Sequence, residues 1–423
     1  MRKSVLPILL TFCLLPAVAR ADSALMPLNN QDLRDLDRGD GLIGQDPFST
    51  AYEPRHVGAF LLYPLLEVKG AYNDNIYAND TRETSDYIGS VKPQAVLQKP
   101  YGRHFFEWRG AAEIQRALEE SSEDIENYDT AFRARLEARN DLIIPLEAGY
   151  KIDHAERKNS RSSQIAATPF KDETLHAKGG LIYTPGRLKL SLLGRAASLR
   201  LDDNTDLISG AAIDRDVADR NVYDFTAETA YEFHPNWAPF IQGSYHREDF
   251  QNLRGGVNQD NTTWRGLAGL NFDYKGLVTG RLGAGADWRD FDAGSVRDTT
   301  NFALEGSITA NISRSTQLLG DISRITITDN DLLAGLVSTK TGLGVKHELR
   351  PDLYLLSDAG YTLDDFEAST REDDIYSAGL SLQYISGPAL RLALEYDYEQ
   401  RESSSSGLDF TQNIIMLRLL GSL

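Results

Sequence analysis

The histidines are the first residues to test for chemistry, because an imidazole can act as a general base or as a metal ligand. The chain has seven, and none has a metal-ligand spacing to another. A hydrolytic site would also need a nucleophile or an activated water beside a histidine and a carboxylate. We therefore predict no catalytic residue, no metal site and no cofactor. The histidines are His56, His104, His154, His176, His234, His246 and His347.

One acidic run resembles the start of a calcium-binding loop. Asp202, Asn204 and Asp206 alternate as the first ligands of such a loop do. Leu207, however, stands where a glycine is needed, and Ile213 stands where the final glutamate is needed. We interpret the run as a solvated loop. Loose bridging of divalent cations between acidic loops and lipopolysaccharide is the alternative.

The overall charge limits the partners of this protein. The 423 residues are 41% hydrophobic and carry a formal net charge of −18. Nonspecific binding to nucleic acid needs a basic face, so an acidic chain of this kind is not expected to bind nucleic acid. Beyond the N-terminus, the sequence has no run of about 18 apolar residues that could form a spanning helix.

The N-terminus has the features of a secretory signal. Arg2 and Lys3 precede a long apolar run that ends in Ala19-Arg20-Ala21, a small-x-small cleavage site. We predict that residues 1–21 are a signal peptide. Its removal takes three of the 44 basic residues and none of the 62 acids, so the charge becomes 41 − 62 = −21. It also removes Cys13, the single cysteine, so we expect no disulfide in the remaining chain.

Alternation with a period of two is the main structural signal. The stretch FRARLEARNDLIIPLEAGYKI, residues 132–152, places Ile144, Leu146 and Tyr150 on one face, and Glu147 and Lys151 on the other. Side chains of a β-strand point alternately to opposite faces, so this pattern predicts strands with one apolar and one ionic face. Eighteen such segments follow one another from Phe60. Three of them have weak patterns: 187–200, 315–327 and 336–349.

The connections between these segments alternate in length. Tight turns such as KPYGR, TPGR and HPNW are followed by long polar loops along the whole chain. Nine hairpins with all tight turns at one end describe an up-and-down antiparallel sheet. Outer-membrane barrels have even strand numbers, short periplasmic turns and long outer loops. We therefore predict an all-β fold, a transmembrane β-barrel of about 18 strands, over residues 59–423.

The placement of aromatic residues favours a membrane over a soluble core. On the apolar faces, one aromatic group lies near the tight turns and a second near the long loops, with mainly aliphatic residues and glycine between them. Two aromatic girdles that flank an aliphatic band are typical of a bilayer-spanning barrel. A secreted lectin, propeller or solenoid would also alternate, but no blade-length repeat is visible. The first group is Tyr183, Phe233, Trp237, Tyr274 and Tyr384; the second is Tyr72, Tyr128, Tyr245, Trp264, Trp288, Tyr361, Tyr376 and Tyr398.

Residues 22–58 do not alternate. Leu33 and Leu36 allow only a short amphipathic turn. We predict a flexible periplasmic leader, with a small plug or a docking segment for a periplasmic partner as the alternatives.

The ionic face of the barrel would line the lumen. Two interpretations remain open for its charges: they pair across strands and stiffen the wall, or they form a field along which a polar solute slides. The 154–173 loop, with Arg157, Lys158, Arg161 and Lys171, could also fold inward and narrow the bore. The predicted pore-lining residues are Glu107, Arg109, Glu113, Arg133, Arg135, Glu137, Arg139, Glu147, Lys151, Asp224, Glu228, Arg265, Asp287, Arg289, Arg391, Glu395 and Asp397.

The first hairpin resembles a known family. It has Pro64 in its first strand, then Tyr72-Asn73-Asp74-Asn75-Ile76, an acidic loop, and Val91-Lys92-Pro93 in its second strand. This arrangement is similar to that of the putative β-barrel porin 2 family. One departure is the C-terminus, where Leu423 stands in place of the aromatic residue that usually ends outer-membrane barrels.

The resemblance implies a barrel in the outer membrane of a Gram-negative bacterium, often linked to exopolysaccharide assembly. The function that it implies is a passive exit conduit for the polymer. A general or selective diffusion porin for small polar solutes is the main alternative, and a structural or adhesive protein is another. Expected partners are outer-membrane lipid, lipopolysaccharide and the barrel-insertion machinery, with a polysaccharide and periplasmic export components under the conduit interpretation.

Overall fold

The computed structural model describes residues 53–159, 166–328, 335–367, 369–387 and 389–422. The predicted signal peptide with Cys13, most of the predicted leader, Arg161 and Leu423 lie outside these residues.

The described chain forms eighteen long strands of 12 to 16 residues each. The three weakly patterned segments, 187–200, 315–327 and 336–349, all form strands. The strands are β1 Phe60–Asn73, β2 Asp86–Tyr101, β3 His104–Ala117, β4 Ile125–Arg139, β5 Leu142–His154, β6 Lys171–Tyr183, β7 Leu188–Leu201, β8 Arg220–Tyr231, β9 Trp237–Phe250, β10 Asn261–Tyr274, β11 Val278–Phe291, β12 Thr299–Asn311, β13 Thr316–Ile327, β14 Leu336–Arg350, β15 Leu353–Phe366, β16 Glu372–Ser386, β17 Leu390–Ser403 and β18 Phe410–Ser422.

The sheet closes on itself. Each strand pairs antiparallel with the next along the chain, and the last strand returns to the first. In that closing pair Leu65 lies opposite Ser422, and Asn73 lies opposite Ile414. A closed sheet has no free edge, so all its backbone groups can be satisfied within a bilayer. The prediction of an 18-stranded up-and-down barrel is confirmed.

The two ends of the barrel differ as the sequence predicted. Tight turns join β2 to β3, β4 to β5 and every later even strand to its successor, and this is the turn end. At the turn between β10 and β11, Lys275 and Gly276 both have positive φ, 55° and 69°. Two successive left-handed residues form the hairpin turn that matches the natural twist of paired strands. The long loops lie at the opposite, loop end.

Three smaller features accompany the barrel. A short strand, Arg55–Val57, pairs with Phe60–Leu62 at the turn end of β1, within the segment predicted as leader. In the loop after β7, Asn204–Thr205 pairs with Ala212–Ile213. Single 3₁₀ turns occur at Ser121–Glu123, Arg157–Asn159 and Asp216–Ala218. Across the described ranges, helical segments are too short or too polar to span a membrane.

Candidate functional site

The two faces of the wall have opposite exposure. Phe132 on β4 is 48% exposed and Leu146 on β5 is 40% exposed, whereas the neighbouring Arg133 and Glu147 side chains are 7% and 10% exposed. Such a distribution is the reverse of that in a water-soluble protein. It fits a barrel whose outer face meets lipid and whose inner face is polar. Aromatic pairs mark both ends: Tyr245 contacts Trp264 at the loop end, and Trp237 stacks on Phe272 at the turn end.

The charged inner wall from β1 to β6 is held by cross-strand ion pairs. Arg133 donates to Glu147 over 3.2 Å, and Arg109 donates to Asp129 over 2.7 Å. Glu113 also pairs across strands, with Lys69 and Lys92. Arg135 pairs with Glu137 and Lys151 with Asp153 along their own strands, and Gln98 donates a hydrogen bond to Glu107. These contacts fit the wall-stiffening interpretation.

One predicted pore residue does not face the lumen. The register of β4 against β5 shifts between Glu137 and Arg139, which indicates a β-bulge. An extra residue in a strand reverses the faces that follow it. Arg139 therefore lies with the outward-facing Leu142 and Tyr183 at the turn end. Its side chain is 60% exposed and bonded to Asp141, so the pore-lining prediction for Arg139 is wrong.

A second group of predicted residues, Asp224, Glu228, Arg265, Asp287 and Arg289, lies on β8, β10 and β11. Arg265 binds Asp287 with two hydrogen bonds of 2.6 and 2.7 Å. The carboxylate of Asp224 accepts from Arg195 Nε at 2.7 Å, and Nδ1 of His246 lies 2.7 Å from its other oxygen. These side chains are nearly fully buried, so each charge is neutralised by a close partner.

Arg281 organises a cluster that the sequence analysis missed. Its guanidinium lies 3.4 Å from the centre of the Phe240 ring and donates to Glu228 at 2.9 Å and to Glu305 at 3.1 Å. Phe240 lies flat on the wall, because the inward positions beside it include Gly269 and Gly283, which leave room for the ring. Arg281 lies at an odd-numbered position of β11, as Asp287 and Arg289 do, and these positions face the lumen. The alternation of β11 could therefore have predicted Arg281 as a pore-lining residue.

The remaining predicted residues lie on β17. Glu395 pairs with Arg418 of β18, while Asp397 faces the same side of the strand. Arg391 is inward-facing near the turn end and is 1% exposed.

The outer end of β13 separates from β12 and folds into the lumen, and β14 follows it while staying paired with β15 as far as Leu336 and Phe366. Pairing of β12 with β13 stops at Leu304 and Arg324, whereas pairing of β13 with β14 continues to Ile327 and Leu336. We call residues 325–328 and 335–338 the inward hairpin. Both of its faces are buried: Leu336 is 0% exposed on one face and Val337 is 3% exposed on the other. A lipid-facing strand would have one exposed face, so this segment lies inside the barrel.

The inward hairpin is bonded to a nearby part of the wall, β9 to β11. The backbone N–H of Thr326 donates to Asp287 at 3.2 Å, and Arg289 donates to the carbonyl of Ile327 at 3.2 Å. The hydroxyl of Thr328 donates to Glu248 of β9. The hairpin thus covers the inner face of β9 to β11 at the loop end and narrows the bore there.

A second segment approaches the lumen from the other side. After β5, Arg157 donates to Glu123 over 3.0 Å, and Lys158 Nζ lies 3.3 Å from Glu399 of β17. Arg401 of β17 donates to the carbonyl of Lys158. Burial disfavours the ammonium of Lys158, but the carboxylates of Glu156 and Glu399 outweigh it and raise the pKa. The predicted inward fold of this loop therefore holds for Arg157 and Lys158, whereas Lys171 begins β6 and pairs with Asp202.

The motif at Tyr72–Asn75 bonds to the strand that closes the barrel. We call the pairing of β1 with β18 the closing seam. Asp74 accepts from the backbone N–H and from the side-chain amide of Asn413, both at 2.7 Å. Asn75 donates to the carbonyl of Thr411 at 3.0 Å, and Asn73 accepts from the N–H of Asn75 at 2.9 Å. The motif therefore joins the first loop to β18. Tyr72 itself is outward and packs on Tyr87 of β2, with ring centres 5.1 Å apart.

Pro93 lies in a gap in the hydrogen-bonded pairing of β2 with β3. The pairing of β2 with β3 is present at Val91 and resumes at Gln94, with Lys92 and Pro93 left out. Proline has no N–H to donate, which accounts for the gap on this side.

The acidic run after β7 forms a turn. Asp206 accepts from the N–H of Ser209 at 2.7 Å and from that of Ile208 at 3.2 Å. In the part of the chain that the structure describes, no group of three or more histidine, cysteine or acidic residues could hold a metal ion.

Solved structures of similar shape are outer-membrane porins. Outer membrane protein OpdK from Pseudomonas aeruginosa is 12% identical, with 86% of this chain and 99% of that chain covered and a TM-score of 0.47. A BenF-like porin from Pseudomonas fluorescens Pf-5 is 12% identical, with 86% and 99% covered and a TM-score of 0.48. At this level of identity and score the likeness adds nothing to the strand pairings above. No curated protein matches the sequence.

A family match covers nearly all of the barrel. Residues 50–421 match the family described as putative beta-barrel porin 2. That match agrees with the closed barrel, the outward apolar face and the charged lumen. The protein is an outer-membrane β-barrel channel of the porin type, and it belongs to the putative beta-barrel porin 2 family.

Proposed function

We propose that the protein is a selective diffusion channel for small polar solutes. The observation that carries this proposal is the inward hairpin, which narrows the lumen at the loop end opposite a wall of paired charges. A diffusion porin needs such a constriction, because a wide bore would not discriminate between solutes.

The wall supports passage of polar molecules rather than of one kind of ion. Its arginines and acids lie in alternating pairs, such as Arg133 with Glu147 and Arg265 with Asp287. Paired charges leave little net field, yet their remaining donors and acceptors can replace the water around a solute as it passes. Hydroxyl-rich or zwitterionic solutes fit this wall best.

Export of an exopolysaccharide, which the resemblance implies, has weaker support. A growing polymer needs a continuous wide path, whereas segments enter the loop end of this barrel from two sides, at β9 to β11 and at β17. The family description also names a porin and no polymer.

Liposome swelling with the purified protein would test the proposal directly. Neutral sugars and amino acids of increasing size would be offered as the external solute, with protein-free liposomes as the control. We expect swelling by monosaccharides and amino acids, with rates that fall steeply as solute size increases. Absence of swelling with every small solute would contradict the proposal.

A gene deletion separates the two candidate functions in cells. We expect the deletion to leave surface polysaccharide unchanged and to slow the uptake of a small polar solute. Loss of surface polymer, restored by the intact gene, would instead support the conduit and overturn the diffusion channel.

A further inference from the structure

The two sides of β12 are paired unevenly at the loop end. Toward β11 the pairing continues as far as Thr299. Toward β13 it stops at Leu304 and Arg324, because the end of β13 turns into the lumen. In the described part of the chain, residues 299–303 of β12 therefore have no strand on their β13 side. We call this edge of β12, together with Arg324, the wall notch.

The end of β13 lies behind β12 rather than beside it. The side-chain amide of Asn301, on the inner face of β12, donates to the hydroxyl of Thr326 at 3.1 Å. The N–H of Thr326 donates to Asp287, on the inner face of β11, at 3.2 Å. The inward hairpin thus packs against the inner side of the wall. It leaves the edge of β12 accessible from outside the barrel, where Phe302 is 56% exposed.

Backbone groups of Thr300 and Phe302 point toward the wall notch. Successive residues of an antiparallel strand direct their N–H and C=O groups to alternate neighbouring strands. Asn311 donates to the carbonyl of Leu277, on the β11 side, at 2.7 Å. The odd-numbered residues of β12 therefore bond to β11, and the even-numbered Thr300 and Phe302 direct their groups to the side that β13 has left. Backbone groups at a membrane surface need water or a lipid headgroup as their partner.

The wall notch lies at the level of the loop-end aromatic residues. Trp288 of that group lies opposite Thr300 of the notch. Tyr361 of the same group lies opposite Thr341, the next outward position of β14 after the residue that pairs with Arg324. Aromatic residues of a membrane barrel mark the headgroup level, and the long loops mark the outer side. The notch therefore faces the headgroups of the outer leaflet.

Arg324 has a positive charge with no acid partner among the described residues. It is half-buried on the outward face and donates to the hydroxyl of Thr339 at 2.5 Å. The other basic residues on the outward face of the strands near the loop end each pair with a carboxylate. These pairs are Arg116 with Glu126, Lys171 with Asp202, Arg200 with Asp219, and Arg247 with Asp292. Arg324 thus differs from them, because an external anion can neutralise its charge.

The outward residues beside Arg324 are apolar. Leu304 lies opposite it on β12, and Ile322 lies two residues before it on β13. An anion that binds Arg324 while contacting these two side chains would carry both a charged head and a hydrocarbon chain. This combination is the chemistry of an anionic lipid.

We propose that the wall notch binds the phosphorylated headgroup of an anionic lipid of the outer leaflet. Arg324 is the ligand of the phosphate. The backbone groups of Thr300 and Phe302 bond to the polar part of the headgroup, and an acyl chain lies against Leu304 and Ile322. This proposal does not depend on which solute the channel carries.

Native mass spectrometry of the purified protein with added diphosphoryl lipid A tests the site. Arg324→Gln removes the unpaired charge, so we expect the affinity for the first bound lipid to fall about tenfold. Arg116→Gln is the matched control, because Arg116 faces the same leaflet and already has an acid partner. It should bind lipid A as the parent does. Equal affinity of the parent and Arg324→Gln, with folding verified by heat-modifiable mobility, would overturn the proposal.

Two further ligands distinguish a lipid site from a site for a free anion. Dephosphorylated lipid A should bind the parent and Arg324→Gln equally weakly, because it lacks the group that Arg324 contacts. Inorganic phosphate at millimolar concentration should not displace lipid A from the parent. Displacement by inorganic phosphate would indicate a simple anion site and overturn the lipid proposal, as would tight, Arg324-dependent binding of the dephosphorylated lipid.

A proline substitution tests the backbone part of the site. Phe302→Pro removes an N–H that points away from β11, so the barrel should fold as before. Phe302→Ala removes the same ring but keeps the N–H, and is the control. We expect Phe302→Pro to bind lipid A several-fold more weakly than Phe302→Ala. Equal affinities would exclude this N–H from the site and overturn the backbone contact.

Discussion

Single residues inside this barrel work in clusters rather than alone. Arg281 contacts four strands besides its own and lies on Phe240, which in turn fits against glycines of the wall. An arginine with this many partners is a structural link and not a free binding group. Under the proposed function, a solute would pass beside charges that already have partners in the wall.

Replacing Arg281 tests this structural role. Arg281→Gln would leave the nearly buried Glu228 and Glu305 without their cation, so we expect a loss of about 3–5 kcal/mol in the free energy of unfolding. Urea unfolding of the barrel in lipid vesicles, followed by tryptophan fluorescence, measures it. Arg350→Gln is the control, since that exposed pair with Asp352 should contribute only about 0–1 kcal/mol. Equal losses in both variants would refute the clustering.

At the scale of strands and loops, the alternation in the sequence predicted the strands of the wall. It did not predict the strand ends that turn into the lumen. Strand number, turn positions and inward residues follow from a period of two, because lipid and lumen select opposite side chains. The period cannot show that β13 and β14 bend inward, since a segment buried on both faces is apolar on both. The adjacent apolar residues Leu336 and Val337 are the sequence sign of it, because they break the alternation. The bulge before Arg139 could not be predicted either, because one extra residue in a strand leaves no mark on the types of residue present.

Loosening the inward hairpin should widen the bore. Leu336→Ala removes a fully buried side chain, and such cavities cost about 2–5 kcal/mol. We expect larger single-channel conductance in planar bilayers, with more frequent transitions between levels. Leu343→Ala, on the lipid face of the same strand and 70% exposed, should leave conductance unchanged. An unaltered conductance in Leu336→Ala would show that the hairpin does not set the bore.

The loop after β5 should be protected from protease by its contact with β17. Glu399→Ala removes the carboxylate 3.3 Å from Lys158, so we expect trypsin to cut after Arg157 or Lys158 several-fold faster. Mass spectrometry of the fragments measures the rate. Glu402→Ala, an exposed acid on the same strand, should have no effect. Faster cleavage in both variants would mean that the strand, and not the ion pair, protects the loop.

The raised pKa of Lys158 gives this contact a defined pH range. A lysine whose pKa rises above 10.5 on folding contributes stability below that pH and loses it as pH passes the raised value. The contact is therefore complete at neutral pH, and protection of the loop should decline only in strongly alkaline buffer.

For the whole molecule, the defining feature is the ring that closes between β1 and β18. The Tyr72–Asn75 motif, which the sequence analysis used only as a sign of resemblance, holds this seam through Asp74 and Asn413. Resemblance alone indicated the family correctly. It also implied polymer export, which no residue of the lumen indicated, because a family likeness in one hairpin does not describe the bore.

Weakening the seam should slow folding of the entire barrel. Asp74→Ala removes two hydrogen bonds to Asn413, a loss of about 1–3 kcal/mol. We expect a lower temperature for the mobility shift on gels and slower insertion into vesicles. Asp80→Ala, an exposed acid of the same loop, serves as control and should behave like the parent chain. Identical insertion rates for the two variants would rule out a role for the motif in closure.

The closing seam also implies that the same ring of strands could form from a chain that starts at a different strand. Phe60 and Ser422 both lie at the turn end, at adjacent strands of a ring in which every other connection at that end is a tight turn. Joining the present ends through a short linker and opening any other tight turn would give a circular permutant with the same ring. What would change is which strand is made last, and with it the pair of strands that closes the ring.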